Sequence, residues 1–228
     1  MIKRLFDVGL AAAALLLLWP LLVVLAFAVR LEDGGPVFYR GRRVGRHRRP
    51  FSMMKFRTMV VHAEQLGASS TADDDPRITR VGRFLRAFKL DELPQLFNVL
   101  GGSMSFVGPR PQVAWAVDLY SAEEQHLLDV RPGITDYASL MFRNEGEILR
   151  GSSDPDKDYL EKIAPGKIRL GLEYVHHHHV AIDIKIILAT ALAIAGLDPQ
   201  WCLSPAGRKI MDDVRRPMAR PQVASRAA

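Results

Sequence analysis

Val8 to Val29 runs for 22 residues without a charge, VGLAAAALLLLWPLLVVLAFAV, and no other feature limits the fold of the chain as much. At about 1.5 Å of rise per residue, a helix over this run reaches roughly 33 Å, enough to cross a hydrocarbon core of about 30 Å. The run is longer than the apolar part of a secretory signal, and no small-x-small cleavage site leads into a mature start. A core helix of this length would show a polar face, and this one has none. The segment therefore belongs in a membrane, and its path is a separate matter. Lys3 and Arg4 precede it and Arg30 follows, so both flanks carry the charge that favours the cytoplasmic side. Pro20 near the middle removes a helical hydrogen bond and bends the axis. Two basic flanks and a central breaker predict a re-entrant helix–break–helix with both ends cytoplasmic, a kinked spanning helix being the alternative.

With 228 residues the chain has room for one ordinary domain and an appendage, and can bury a core. The expected division is an anchor over 1–33, one domain over 34–203 and a basic tail over 204–228. The single cysteine, Cys202, excludes an internal disulfide framework and a cysteine-based metal cluster, and it suits a reducing compartment. A net charge of +6 points to an anionic partner without choosing among nucleic acid, lipid headgroups and phosphorylated substrates. The charge is unevenly placed. No acidic residue occurs from Gly34 to Ala63, whereas Arg40, Arg42, Arg43, Arg46, Arg48, Arg49, Lys55 and Arg57 are basic. A solvated loop has the same composition. Beside a membrane segment, the stretch at 40–49 is expected to meet anionic lipid, each residue near the surface adding about 1 kcal/mol.

KLDELPQLFNVL, residues 89–100, sets Asp91 and Glu92 inside an apolar stretch. Leu90, Leu93, Phe97 and Leu100 recur at three- and four-residue steps, the spacing of one buried helical face. The two acids fit helix capping, since Asp is a common N-cap, Glu suits a first turn and Pro94 is tolerated near a helix start. On this stretch alone, capping and chemistry stand about even. Upstream, FSMMKFRTM is apolar enough for a strand, with Lys55 and Arg57 on the same side if extended. GASSTADDDPRIT reads as a loop, and MSFVG as a short strand entering a rigid Pro-Arg-Pro turn.

KFRTM, LDELPQLFNVLGGSMSFVGPRP and RPGIT follow one another in an order and at distances that resemble the bacterial sugar transferases, the monotopic phosphoglycosyl transferases, in their short form. The resemblance runs from about Lys3 to about Leu197. It implies an α/β protein: a re-entrant anchor plus a mixed α/β catalytic domain with interfacial amphipathic helices, on the cytoplasmic face of a bacterial inner membrane. It implies an enzyme moving a sugar 1-phosphate from a UDP-sugar to polyprenol (undecaprenyl) phosphate with Mg2+, releasing UMP. That is the first membrane step of exopolysaccharide, capsule, O-antigen or glycoprotein glycan assembly. Asp91 would be the nucleophile, forming a phosphosugar–enzyme intermediate, and Glu92 would support metal binding or proton handling. Lys55, Arg86, Arg110 and Arg143 fall on positions that hold the substrate phosphates or the uridine nucleotide. Asp183 falls where members tend to carry an acid, one that would orient an active-site group.

Physical chemistry agrees with this set. A diphosphate and a carboxylate nucleophile repel, so a cation must stand between them. Magnesium takes one or two carboxylates with phosphate oxygens and waters, here Asp91 and Glu92. Arginine forks suit the phosphate oxygens on which charge concentrates during transfer.

After RPGIT the chain reads DYASLMFRNEGEIL, so Asp136 and Tyr137 replace the small-aromatic pair of many members while Arg143 and Asn144 remain. A subset of the family resembles this variant, and the sugar and nucleotide contacts are left open. His176 to His179 point about 100° apart on a helix, so at most two could face one ion, and a solvent-facing or interfacial stretch is expected instead of a metal site. The apolar run after Lys185 is too short to span, and is either a core helix or an in-plane membrane helix. Two rivals come from other classes. A membrane-tethered nucleic-acid-binding module explains the charge but not the dyad or FVGPRP, so no nucleic acid partner is expected. A catalytically inactive assembly partner would tolerate loss of Asp91. The sugar, the glycan and the formation of a homodimer are left open.

Overall fold

A computed structural model describes residues 2–67 and 70–215. The apolar run lies within α1 (Ile2–Asp33), among the described residues the one helix long and apolar enough to cross a membrane. Only 11% of its most apolar window is buried, so it is no core helix. The break expected at Pro20 is absent, because α1 continues through it. An internal proline removes one hydrogen bond and bends the axis without having to end the helix.

β1 (Phe38–Val44) and β2 (Pro50–Phe56) form an antiparallel hairpin, in register from Phe38↔Phe56 to Val44↔Pro50. α2 (Arg80–Ala87) starts at Thr79, whose hydroxyl accepts from Gly82 N, and a 3₁₀ turn over Leu90–Glu92 leads into α3 (Gln95–Leu100). β3 (Ser105–Val107) and β4 (Gly133–Thr135) pair in parallel, with α4 (Ala114–Asp118) in the crossover. The remainder is helical: α5 (Tyr137–Met141), α6 (Glu145–Ile148), α7 (Pro155–Asp158), α8 (Ala164–His177), α9 (Val180–Ile194) and α10 (Pro205–Arg215). The architecture is mixed α/β.

Two glycines explain why FVGPRP and RPGIT read as they do. A Cβ on Gly108 would lie 2.3 Å from Arg131 O, and one on Gly133 would lie 2.1 Å from Gly108 N. Any side chain there would push β3 and β4 apart, and with them the turn that carries Arg110.

The main core gathers Tyr137 and Leu140 from α5, Phe142 just after it, Leu170 and Tyr174 from α8, and Ile186 from α9. Two smaller clusters are shared with α1: Ala11 packs with Met53, Leu96 and Val99, and Leu25 and Val29 pack with Phe56 and Leu85. Both ends of α1 thus rest on the same domain. Near its start, Asp7 accepts from Ser105 Oγ and from Phe106 N (3.1 Å), and Arg4 Nη2 donates to Leu100 O (2.9 Å). Near its end, Glu32 accepts from Val81 N (3.1 Å) and Asp33 from Arg57 Nη1 (2.6 Å). Between these points Leu16, Leu17 and Trp19 are exposed.

The buried face expected at 90–100 is not the one formed. Leu96 and Val99 are buried, whereas Phe97 and Leu100 are exposed at 46% and 36%. The 3₁₀ turn and Pro94 separate Leu90 and Leu93 from α3, so the two halves do not share one helical phase. Lys55 and Arg57 also diverge, because β2 ends at Phe56 and Arg57 turns to Asp33. Residues 205–215, part of the expected tail, form α10, which docks through Ile210, Met211 and Val214 on the main core. The rest of that tail, 216–228, lies outside the described residues. His176–His179 are exposed at the junction of α8 and α9.

Candidate active site

Asp91 and Glu92 occupy the 3₁₀ turn between α2 and α3, entered through Lys89 in the left-handed region at φ 56°. A side-chain-bearing residue held there costs on the order of 1–3 kcal/mol, which surrounding structure must offset. The turn presents the two carboxyls to cations from elsewhere in the chain. Lys55 Nζ, from β2, donates to Glu92 Oε1 at 2.8 Å and stands 3.7 Å from Asp91 Oδ2. Arg110, held in the Pro109–Pro111 turn after β3, grips Glu92 with both arms of its fork, Nη1 to Oε2 at 3.1 Å and Nη2 to Oε1 at 2.5 Å.

The adjacent acids are therefore unequal. Burial pushes the Glu92 carboxyl up, but Arg110 and Lys55 outweigh it and hold Glu92 well below the usual carboxylate range. Burial pushes Asp91 above that range and the Glu92 charge adds to the push, while Lys55, Arg86 and Arg110 oppose it without prevailing. Glu92 in turn keeps Arg110 firmly charged. Paired carboxyls whose environments drive their pKa values apart are what divided chemical roles require. Glu92 is a fixed anion that orients two cations, and Asp91 is a buried acid short of positive charge.

The other residues expected at the site are not all brought together. Arg86, in the last turn of α2, acts on Asp91 through its charge. The exposed Arg143 donates through Nη1 to Ala193 O at 2.7 Å, at the C-terminal end of α9, and its own carbonyl accepts from Lys89 Nζ at 3.2 Å. Asp183 is fully buried away from the dyad: it accepts from Lys3 Nζ and Tyr174 OH, each at 2.7 Å. Lys3 Nζ also donates to Val107 O at 3.1 Å, and Tyr174 OH, whose one hydrogen serves either acceptor, stands 3.0 Å from the same oxygen, so Lys3 fastens α1 to β3 and α9.

Residues that the sequence did not single out act on Arg110 or share its cavity. Glu145 pairs with Lys167, and burial pushes Glu145 up while Lys167 and Arg110 bring it down to a net lowered value. Asp136, noted from the sequence only as a departure, caps α5 by accepting from Ser139 N at 2.6 Å, and burial raises its pKa. No local pattern marks Glu145 or Lys167, which meet only through the packing of α6 and α8. Gln95, four residues after Asp91, is fully buried, and neither of its amide atoms has a partner. Arg110 also forms part of the wall of a cavity of about 240 Å3.

Among the described residues, no cluster of three or more His, Cys, Asp or Glu could cage a metal ion. Two adjacent carboxylates, one undercompensated, do fit an ion such as magnesium that takes one or two carboxylates and completes its shell with water and phosphate oxygens.

The profile of the family described as "Bacterial sugar transferase" matches residues 1–196. Over 199 residues the chain is 42% identical to a UDP-glucose:undecaprenyl-phosphate glucose-1-phosphate transferase of Xanthomonas campestris pv. campestris, covering 85% of this chain and 39% of that protein. It is 39% identical over 193 residues to the Escherichia coli protein of the same name, covering 83% of this chain and 39% of the other. It is 35% identical over 209 residues to the exopolysaccharide production protein ExoY of Rhizobium meliloti, covering 85% of each. The chain thus spans about two fifths of the length of the first two relatives and most of the third.

Proposed function

The chain belongs to the bacterial sugar transferase family, and from that premise we propose that it moves a sugar 1-phosphate from a UDP-sugar to a polyprenol phosphate such as undecaprenyl phosphate. UMP is released, at the cytoplasmic face of a bacterial inner membrane. The observation that carries this reading is the unequal dyad: Glu92 saturated by Lys55 and Arg110, Asp91 buried beside it at 3.7 Å from Lys55.

Asp91 attacks the phosphorus that bears the sugar. The bond from that phosphorus to the bridging oxygen breaks, and UMP departs with the electron pair. The sugar phosphate is left as a mixed anhydride on the Asp91 carboxyl. An oxygen of the polyprenol phosphate then attacks the same phosphorus, and Asp91 leaves as carboxylate. Arg110, aligned by Glu92, meets the equatorial oxygens where charge accumulates, and Lys55 reduces the repulsion between nucleophile and diphosphate. Magnesium, when bound, would be held by Asp91 and Glu92 and would supply further charge neutralisation.

The fold supports a seat on the membrane surface. A spanning helix separates its ends by the thickness of the bilayer, whereas Lys3–Asp7 and Glu32–Asp33 of α1 bond to the same domain. That supports a re-entrant path with both ends cytoplasmic, in which α1 stays helical through Pro20. Phe84, Phe88, Phe97 and Leu100 add exposed apolar surface on α2 and α3, and the hairpin arginines suit anionic headgroups. A polyprenol phosphate keeps its phosphate at headgroup depth, so the dyad belongs at that depth too.

Wild-type protein given a UDP-sugar without polyprenol phosphate should release about one UMP per site and keep the sugar phosphate. Intact-protein mass spectrometry should show the adduct, and a peptide map should put it on residues 89–100. UMP release only with both substrates, and no adduct under rapid quench, would replace this scheme with direct attack by the polyprenol phosphate. For topology, cysteines introduced at Met1 and Gly45 should label from the same side in spheroplasts, and external labelling of Met1 alone would mean a spanning helix.

A further inference from the structure

The cavity beside Arg110 holds about 240 Å3, and its wall includes Arg110, Gln112, Asp136, Ser139, Tyr159 and Lys167. Sites that bury a whole drug-sized ligand run to about 300–1,000 Å3, so this one takes a single ring of a nucleotide sugar. Arg110 belongs both to this wall and to the dyad, through its fork on Glu92. Whatever fills the cavity therefore sits close to the phosphorus under attack. In a UDP-sugar the first carbon of the pyranose is one oxygen from that phosphorus, whereas the uridine lies beyond the second phosphate.

Most of the wall is apolar, with Pro109, Val117, Leu127 and Ile168 among its residues, and its few polar groups suit the hydroxyls of a ring whose carbon face packs on the rest. Asp136 is 1% exposed and uses Oδ1 to accept from Ser139 N at 2.6 Å. Ser139 Oγ is buried and has no partner. Lys167 pairs with Glu145 and lies 5.4 Å over the Tyr159 ring, and Gln112 Nε2 donates to Tyr159 OH at 3.3 Å. A buried hydroxyl without a partner is costly, and a ligand hydroxyl arriving beside it removes that cost. We propose that the cavity is the pyranose subsite, and that Asp136, Ser139 and Lys167 read the pattern of sugar hydroxyls; this rests on the proposed transfer from a UDP-sugar. Where a site is built to hydrogen-bond a hydroxyl, a sugar that lacks or misplaces it leaves buried groups unpaired, and discrimination is correspondingly strong.

The test uses the full chain in lipid nanodiscs, measuring UMP release from UDP-glucose, UDP-galactose and their N-acetylated counterparts, with UMP as a product inhibitor that lacks the sugar. Asp136→Asn keeps an oxygen to cap α5, and Ser139→Ala removes only the unpartnered hydroxyl. The ratio of kcat/KM between the two best UDP-sugars should change about tenfold or more in Asp136→Asn and roughly threefold or more in Ser139→Ala. The UMP inhibition constant should stay at the wild-type value. Should Asp136→Asn fail to fold, Ser139→Ala decides alone. An unchanged ratio overturns the subsite. So does a rise in the UMP inhibition constant matched by an equal rise in KM for every UDP-sugar, since the cavity would then hold the uridine. A wild type that releases UMP from none of the four sugars overturns the transfer reading itself, and the subsite with it.

Discussion

Asp183 and Asp91 are both buried acids with a lysine nearby, and the chain holds them in different ways. Asp183 takes Lys3 and Tyr174 at 2.7 Å each, and those same donors share Val107 O, so the network closes on itself. Asp91 has Lys55 at 3.7 Å, while the same ammonium stands 2.8 Å from Glu92. A closed network is a fastening, because every member loses a partner if any one moves. An open one keeps a charged oxygen available for something that is not protein. Two residues of one type thus serve structure in one place and, in the proposed mechanism, reaction in the other, and the difference is in how completely their bonds are filled.

The largest expected effect tests the open cluster. Asp91→Asn should lower UMP release by at least about 10³-fold, roughly 4 kcal/mol of barrier, because an amide cannot attack as the carboxylate does. Its thermal midpoint should not fall, since the variant removes an undercompensated buried acid. Turnover near wild type would erase the distinction between the clusters.

Asp183→Asn should do the reverse. Leaving Lys3 without its anion should destabilise the protein by about 3–5 kcal/mol in urea unfolding, while activity per folded molecule stays within a few-fold. A loss of stability below about 1 kcal/mol would mean that the closed network fastens little.

Arg110→Lys keeps the charge but loses the two-armed grip. An expected fall in kcat/KM of about 10²-fold, roughly 2.7 kcal/mol, with unchanged circular dichroism, would confine the effect to the site.

The smallest effect is a shift in pH dependence. Asp91 is raised above the ordinary 3.8; protonation removes the nucleophile, so activity should be lost as pH falls through a value higher than that of an ordinary aspartate. Lys55 lowers Asp91, hence Lys55→Met should move this acid limb further up in a pH–rate profile. A limb that stays put would take Lys55 out of the electrostatics of Asp91.

What was legible in the sequence follows the range of the forces involved. The long apolar helix, the loop before Ile78 and the Pro-Arg-Pro turn are decided by near neighbours, and local pattern reports them well. By contrast, β2 shows only as an apolar stretch over 51–59 whose alternation is too poor to prove a strand. The dyad was visible because two acids between leucines violate that pattern. Leu90, Leu93, Phe97 and Leu100 misled because their spacing assumes one continuous helix, and the 3₁₀ turn changes the phase. Arg143 reaching Ala193, Glu145 meeting Lys167 and Asp183 meeting Lys3 are decided by how distant elements pack, and no window along the chain contains both partners.

The fastening of α1 has a consequence in time. Lys3 waits for Asp183, 180 residues further along. At about 5–20 residues per second of synthesis, the first turn of the chain precedes its partner by roughly 9–36 s. Through the early part of that interval α1 has no domain to rest on, because Ala11 waits for Leu96 and Val99 and Val29 waits for Phe56 and Leu85. On the proposed membrane seat, the helix therefore meets lipid before it meets its own domain. Ribosome-bound chains that stop short of Asp183 should already carry α1 in the membrane, with Lys3 open to amine labelling. Release of the complete chain should close that lysine to the reagent.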